Sequence, residues 1–326
     1  MVDHAVILAV GNPNHQSQLT FNRPRAMLPV LGKPLVLRLL ELVHRAGIRR
    51  FTVIVGENEG AVAAYLSTRL AQTTRIEFVL QPSSSSLTRT LGTIARQVAQ
   101  PFLLASYHAF IHPNFPERLL NHYHDLRGLV VGGALLSLSK SPARYWAVMQ
   151  GQRISRIAHE KPEIPAESYL LTDFAVCGEA FVQYLSSLHT NTGVFTPQFL
   201  DLAQLYLQAG GVAHLAETAW TLPVEADYDL LTVNRFFLDD QQDCHILSDV
   251  PGSVQIIPPV RIDPQVSVGQ GAQIGPRVYL EAGCSIGQYA VLSDAVVLQN
   301  AVIPARQHVT NRIVSSRPEY MKPDKA

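Results

Sequence analysis

Cysteine is scarce: Cys177, Cys244 and Cys284 are the three in 326 residues. Their number is odd, they lie far apart, and none forms a C-x-x-C pair. A disulfide framework and a cysteine zinc site are therefore excluded, and a reducing, intracellular setting is expected. An excess of charge of one sign is also lacking, since 26 Lys+Arg stand against 26 Asp+Glu. Such a chain has no electrostatic footprint for wrapping nucleic acid or docking on anionic lipid. Long apolar runs are missing too. Ala5–Val10 is too short for a signal core or a membrane span, and Asp3 and His4 stand where a basic leader would begin, so a soluble cytoplasmic protein is the expectation. What is plentiful is apolar residues, 47% of a chain too long for one average domain, and two cored modules follow.

The first half alternates two periods. Ala5–Val10, Phe51–Val55, Ile76–Leu80, Phe102–Ala105 and Leu129–Leu136 are short continuous apolar runs, the pattern of strands buried on both faces. Between them Lys33 to Ala46 sets Leu35, Leu39, Leu42, Val43 and Ala46 on one helical stripe, and Gly47 follows as a stop. Further helices are predicted near Glu59–Leu70, Thr90–Val98 and Phe115–His124. This order implies a doubly wound, mostly parallel α/β sheet. Extended pieces follow at Tyr145–Met149, Ile154–Ala158 and Tyr169–Val176, then helices near Gly178–Leu188, Pro197–Ala209 and Asp227–Leu238. A first domain over 1–240 and a linker over 241–252, rich in Asp, Gln, Ser, Pro and Gly, are expected.

The last segment repeats. Small or branched apolar residues recur in steps of six from Val254 through Val260, Val266, Ala272, Val278 and Cys284 to Ala290, Val296 and Val302. Two positions after most of them sits a larger aliphatic, such as Ile256, Ile262, Ile274, Ile286 and Leu298, and Gly269, Gly275 and Gly287 stand at corners. This pattern resembles the left-handed parallel β-helix of hexapeptide-repeat proteins, with about three coils over 253–315 and a tail over 316–326.

The opening stretch reads Ala5-Val6-Ile7-Leu8-Ala9-Val10-Gly11, then Leu19-Thr20, then Pro24-Arg25-Ala26-Met27-Leu28-Pro29-Val30 and Gly32-Lys33-Pro34-Leu35. A strand ending in Gly and opening into a loop is how α/β folds expose backbone N–H groups to phosphate. The stretch resembles the signature of the sugar-1-phosphate nucleotidylyltransferases, or NDP-sugar pyrophosphorylases, with its spacings kept. The likeness continues through Leu39–Val55, Gly92-Thr93, Glu160-Lys161-Pro162 and Asp229-Leu230-Leu231, and a β-helix tail is a common appendage in that family.

The resemblance implies attack of a sugar phosphate oxygen on the α-phosphorus of a nucleoside triphosphate, with pyrophosphate leaving. Such a transfer depends on alignment and charge neutralisation. By the resemblance, Arg25 stands for the signature Lys and, with Lys161, is the catalytic candidate. Gly11, Gln81, Gly92, Thr93 and Glu160 are the substrate-binding candidates, Gln81 toward the base and Glu160 toward sugar hydroxyls. Arg23 and Lys33 are further cations near the phosphate. Mg²⁺ is implied, with Glu225 or the nearby Asp227 as its carboxylate.

Several family positions are replaced. The second loop Gly, the Thr and the Arg fall on Pro13, Asn14 and His15, and proline removes a donor while neutral imidazole replaces a forked cation poorly. The strand that should end in Gly-Asp runs Ser106-Tyr107-His108, leaving His108 as a poor magnesium ligand. Thr172-Asp173-Phe174 replaces N-A-G, and Phe174 is expected to crowd the pocket. Ser83–Ser86 reads as a flexible loop.

His112, His122 and His124 add imidazoles near His108, but His122 and His124 share no helical face, and no nucleophile elbow or Walker loop is present. Acyl transfer by the coils has only His308 and the earlier His245 to draw on. Two functions remain: a nucleotidyltransferase with a degraded nucleotide and metal site, or an impaired sugar-phosphate- or nucleotide-binding subunit that forms homo-oligomers through its β-helix.

Overall fold

A computed structural model describes residues 2–11, 18–69, 74–126, 128–135, 145–159, 168–188, 198–241 and 244–316. These divide into two compact units. The first holds residues 2–11, Arg23–Met27 and those between Leu35 and Pro223; the second holds residues 18–22, Leu28–Pro34 and 224–316.

In the first unit nine strands form one sheet: β1 (His4–Leu8), β2 (Arg50–Gly56), β3 (Arg75–Gln81), β4 (Phe102–Ser106), β5 (Leu129–Ala134), β6 (Trp146–Gln150), β7 (Arg153–Ala158), β8 (Ser168–Cys177) and β9 (Ala213–Glu217). Their spatial order is β3-β2-β1-β4-β8-β5-β9-β7-β6. The first four are parallel, as continuous apolar runs require. Strand β8 runs antiparallel to both β4 and β5, while β9 is parallel to β5, so the sheet is mixed beyond β4. The order grows outward from β1 to β3 and then resumes on the other side of β1 at β4. Their carboxyl ends flank the crevice where open α/β sheets bind ligands.

The helices are α1 (Leu35–Arg45), α2 (Gly60–Arg69), α3 (Leu87–Val98), α4 (Phe115–Leu126), α5 (Glu179–Ser187) and α6 (Phe199–Gln208). Helix α1 buries Leu35, Val36, Leu39, Leu40 and Val43 and ends on His44 and Arg45, of which the Arg45 cation complements the helix dipole. The serine run forms a hydrogen-bonded turn that leads into α3. Ser85 N–H donates to the Pro82 carbonyl at 2.8 Å, and the Ser86 hydroxyl accepts from Arg89 N–H as the cap of α3.

The second unit contains α7 (Asp227–Gln241) and the coil stack. Asp229, fully buried, accepts from the N–H groups of Glu225 (3.0 Å) and Ala226 (2.8 Å) and so fixes the start of α7. The hairpin Pro29–Val30/Lys33–Pro34 turns through Leu31 and Gly32 at φ 45° and 77°. Buried Asn234 of α7 accepts from Leu31 N–H at 3.0 Å and donates to the carbonyls of Pro29 and Leu230. Within the 241–252 stretch, Cys244–Ile246 forms a strand parallel to Val260–Ile262.

The coils stack in parallel register. Val260 pairs with Val278 and Gln273 with Val291, eighteen residues apart, and Val260, Val266, Ala272, Val278, Cys284 and Ala290 point inward with the aliphatics two positions on. The hexad phase then slips. Val278 pairs with Ala295 and Ser285 with Val302, seventeen apart, so that Ala295, Val297, Ala301 and Ile303 fill the core while Val302 is 62% exposed. The cause is a corner shortened by one residue at Asp294, which adopts φ 48°. Its carboxylate accepts from Arg277 Nη2 at 3.0 Å and lies 3.1 Å from Arg235 Nε, which pins the tight turn.

Candidate functional site

The carboxyl ends of β1 and β4 are joined by a hydrogen bond from Tyr107 N–H to the Leu8 carbonyl at 3.0 Å. Beyond β1 the Gly11 N–H is engaged: it donates to Glu59 Oε1 at 2.7 Å, and the other oxygen of that carboxylate accepts from Gly56 N–H at 2.9 Å. Glu59 immediately precedes α2 and is buried. Burial pushes its carboxyl above the usual carboxylate range, and the two backbone N–H bonds oppose that shift. A Cβ on Gly11 would lie 2.8 Å from Glu59 Oε1, and one on Gly56 3.1 Å from Oε2, so both glycines make room for the carboxylate. Sequence reasoning missed Glu59, because its partners are 48 and three residues away and no motif links them.

Gln81 ends β3 directly beside Gly56 in the parallel register. Its amide oxygen is buried with no hydrogen-bond partner among the described residues, an acceptor free to meet a ligand N–H. At the end of β4, His108 Nε2 lies 3.5 Å from Asp173 Oδ2, with the Tyr107 ring edge-on at 5.4 Å. The carboxylate that the end of β4 lacks thus stands on the adjacent strand β8.

Phe174 does not crowd this pocket. It is fully buried against Phe115 at a ring separation of 5.8 Å, in a stretch of β8 whose register with β5 is irregular between Leu171 and Ala175. Space for the two rings comes from Gly132, where a Cβ would sit 2.9 Å from Phe115.

Arg25 is buried in a short 3-10 helix, Arg25–Met27, of the first unit, whereas Lys33 is exposed in the hairpin of the second. Gly92 and Thr93 lie within α3. A Cβ on Gly92 would be 3.0 Å from the Leu185 carbonyl, and the Thr93 hydroxyl donates to the Arg89 carbonyl at 3.0 Å. Glu225 and Asp227 are half-buried at the start of α7, in the second unit. Glu160, Lys161, Pro13, Asn14 and His15 lie outside the described residues.

Among the described residues no group of three or more His, Cys, Asp and Glu side chains is placed to hold a metal ion. At the end of β4 the donors are one imidazole and one carboxylate, which do not fit a cation that demands near-octahedral oxygen ligands. No helix of the described residues is long and apolar enough to cross a membrane.

Residues 4–220 match the sequence profile of the nucleotidyl transferase family, and residues 256–320 match that of the GMPPB C-terminal domain. The chain is 24% identical over 335 residues to a bifunctional sugar-1-phosphate nucleotidylyltransferase/acetyltransferase of Sulfurisphaera tokodaii, covering 95% of this chain and 79% of that one. It is also 24% identical over 317 residues to the bifunctional protein GlmU of Thermus thermophilus, covering 92% and 67%. Its fold is similar to that of UDP-glucose pyrophosphorylase solved with UDP-glucose (TM-score 0.60, 14% identity, 74% of this chain and 100% of that one). It is likewise similar to the inositol-1-phosphate CTP transferase of T. maritima (TM-score 0.59, 15% identity, 70% and 91%).

Proposed function

The chain belongs to the nucleotidyl transferase family, and from that premise we propose that it is a member which binds a sugar phosphate or nucleotide while nucleotidyl transfer itself is impaired. The observation that carries this reading is the pair at the end of β4, where His108 and Asp173 stand 3.5 Å apart. Transfer to the α-phosphorus needs concentrated positive charge on the departing pyrophosphate, and one such stabilising group is typically worth about 3 kcal/mol. An imidazole paired with a carboxylate supplies little of that charge and no cage of oxygen donors for Mg²⁺.

Binding is supported by what remains. Gln81 offers a free buried acceptor beside the strand ends, suited to an N–H on a base edge. Buried Arg25 keeps a fixed positive charge in the same unit, and the Glu160-Lys161 pair, if reached by ligand, suits a molecule with hydroxyls and a charge. In this reading the protein acts in the cytoplasm, and the coil stack serves assembly with further copies of the chain.

The test is pyrophosphate release from a panel of nucleoside triphosphates and sugar-1-phosphates with Mg²⁺, run beside thermal-shift binding and light scattering. The expected result is a ligand-dependent rise in Tm without turnover. Turnover above about 1 s⁻¹, the low end of ordinary enzyme rates, would establish instead an active nucleotidyltransferase. No binding at all would leave the family membership without the proposed ligand class.

A further inference from the structure

The glycine at the end of β1 has a second reading once its partner is known. A strand-end N–H is useful to a phosphate because it is a free donor in a positive local field. Here that donor is taken by Glu59, a buried carboxylate of the same unit that also holds Gly56 N–H at the end of the neighbouring strand. Glycine at both positions keeps the two backbones open to these oxygens, since a Cβ at either would crowd them. The carboxylate sits just ahead of the first turn of α2, where the helix dipole favours an anion, and yet it spends both oxygens on the strand ends rather than on its own helix. Each bond is short and charge-assisted, the strong class of hydrogen bond.

We propose that Glu59 is a built-in anion that closes the β1 strand end to polyphosphate, so that the pocket takes a nucleoside or a monophosphorylated ligand in preference to a triphosphate. This rests on the reading that the strand ends form the ligand site. A polyphosphate oxygen approaching Gly11 N–H meets a donor already bonded and a like charge held beside it. A ligand that engages Gln81 and makes no demand on Gly11 is not opposed in this way.

The probe is inorganic tripolyphosphate, which needs no knowledge of the base, titrated calorimetrically into the full chain and into Glu59→Ala and Gly11→Ala. The first variant removes the anion, and the second adds a methyl that expels it. Removing the competing anion is expected to tighten tripolyphosphate binding about tenfold or more, the value of one charge-assisted bond. Equal affinity in wild type and both variants, or binding in none of them, overturns the proposal. If the variants fail to fold, amide exchange in the wild type decides: Gly11 and Gly56 N–H must be protected, and free exchange of Gly11 overturns it. Sugar-1-phosphates and nucleosides titrated into the wild type test the underlying reading separately. Their failure to bind, with a gain for tripolyphosphate in Glu59→Ala, sinks the ligand assignment and leaves the blocking role of Glu59 standing.

Discussion

Replacing Gly287 with alanine tests whether the coils are spaced by their glycines. Gly287 N–H donates to the Ile303 carbonyl of the next coil at 2.8 Å. A Cβ there would overlap Ala305 N and would lie 2.6 Å from the Pro304 carbonyl carbon and 2.7 Å from Ala305 Cα, all backbone atoms that cannot swing aside. Ordinary contact begins near 3.4 Å, so the two coils must part locally by about 1 Å, enough to forfeit much of the dispersion between them. That displacement also carries the Gly287–Ile303 bond beyond hydrogen-bond range. Overpacking of this kind costs about 1–3 kcal/mol and a lost backbone bond about 1 kcal/mol more, so Gly287→Ala is expected to destabilise the coil by about 3 kcal/mol. Because the chain has two compact units, the readout is native-state hydrogen exchange over Ser285–Val314 rather than a global melt. Gly252→Ala is the control, since nothing lies within 4 Å of its added Cβ. Opening free energies for Gly287→Ala within about 0.5 kcal/mol of wild type, the range of neutral surface changes, would refute the spacing argument.

Two further outcomes follow from buried polar groups. Asn234→Ala strands the Leu31 N–H in a site where no solvent replaces it, so a loss of about 2–3 kcal/mol is expected by denaturant titration, and a loss under about 0.5 kcal/mol would show that the turn does not need the bond. His4 is buried against the Thr52 hydroxyl at 2.8 Å, and burial, then the Arg50 charge, hold its pKa below 6.5. The neutral form is thus the folded one. Its contribution is complete above the unfolded value and is lost as pH falls below about 6.5 toward the lower folded pKa. His44 and His214 shift the same way, so Tm should fall from pH 7.5 to 5.5, and His4→Gln, which cannot titrate, should shallow that slope; an unchanged slope removes His4 from the explanation.

Much of the fold is legible in the sequence because its signals are local. Continuous runs such as Ala5–Val10 appear as the central parallel strands, and of the stripe on α1 Leu35, Leu39 and Val43 are buried, whereas Leu42 and Ala46 are half-buried and Val36, Leu37 and Leu40 join the core instead. The hexads predict the coil core as far as Leu292 and then mislead, because Ala295, Val296, Val297 and Leu298 are all apolar and permit either phase. What fixes the phase is the left-handed turn at Asp294 and its two arginines, a geometry that composition does not express. The candidate site is less legible. Gln81 is recognisable by its place after a strand, whereas the meaning of Gly11 depends on Glu59, and that of Asp173 on His108 across neighbouring strands. The Leu28–Pro34 part of the opening signature looks like chemistry in sequence, but its turn is held by Asn234 as a packing element.

That hairpin has a consequence for how the protein comes into being. Leu31 and the Asn234 that secures it are separated by 203 residues, which a ribosome takes roughly 10 to 40 s to span. The second unit therefore waits on both an early and a much later stretch of the polypeptide, and the hairpin stays unsecured until the chain has grown past Asn234. No single cut in the gene yields the two units intact. A fragment starting at residue 224 would carry the coils without the hairpin, whereas a separate peptide containing Leu28–Pro34 would supply that hairpin in trans.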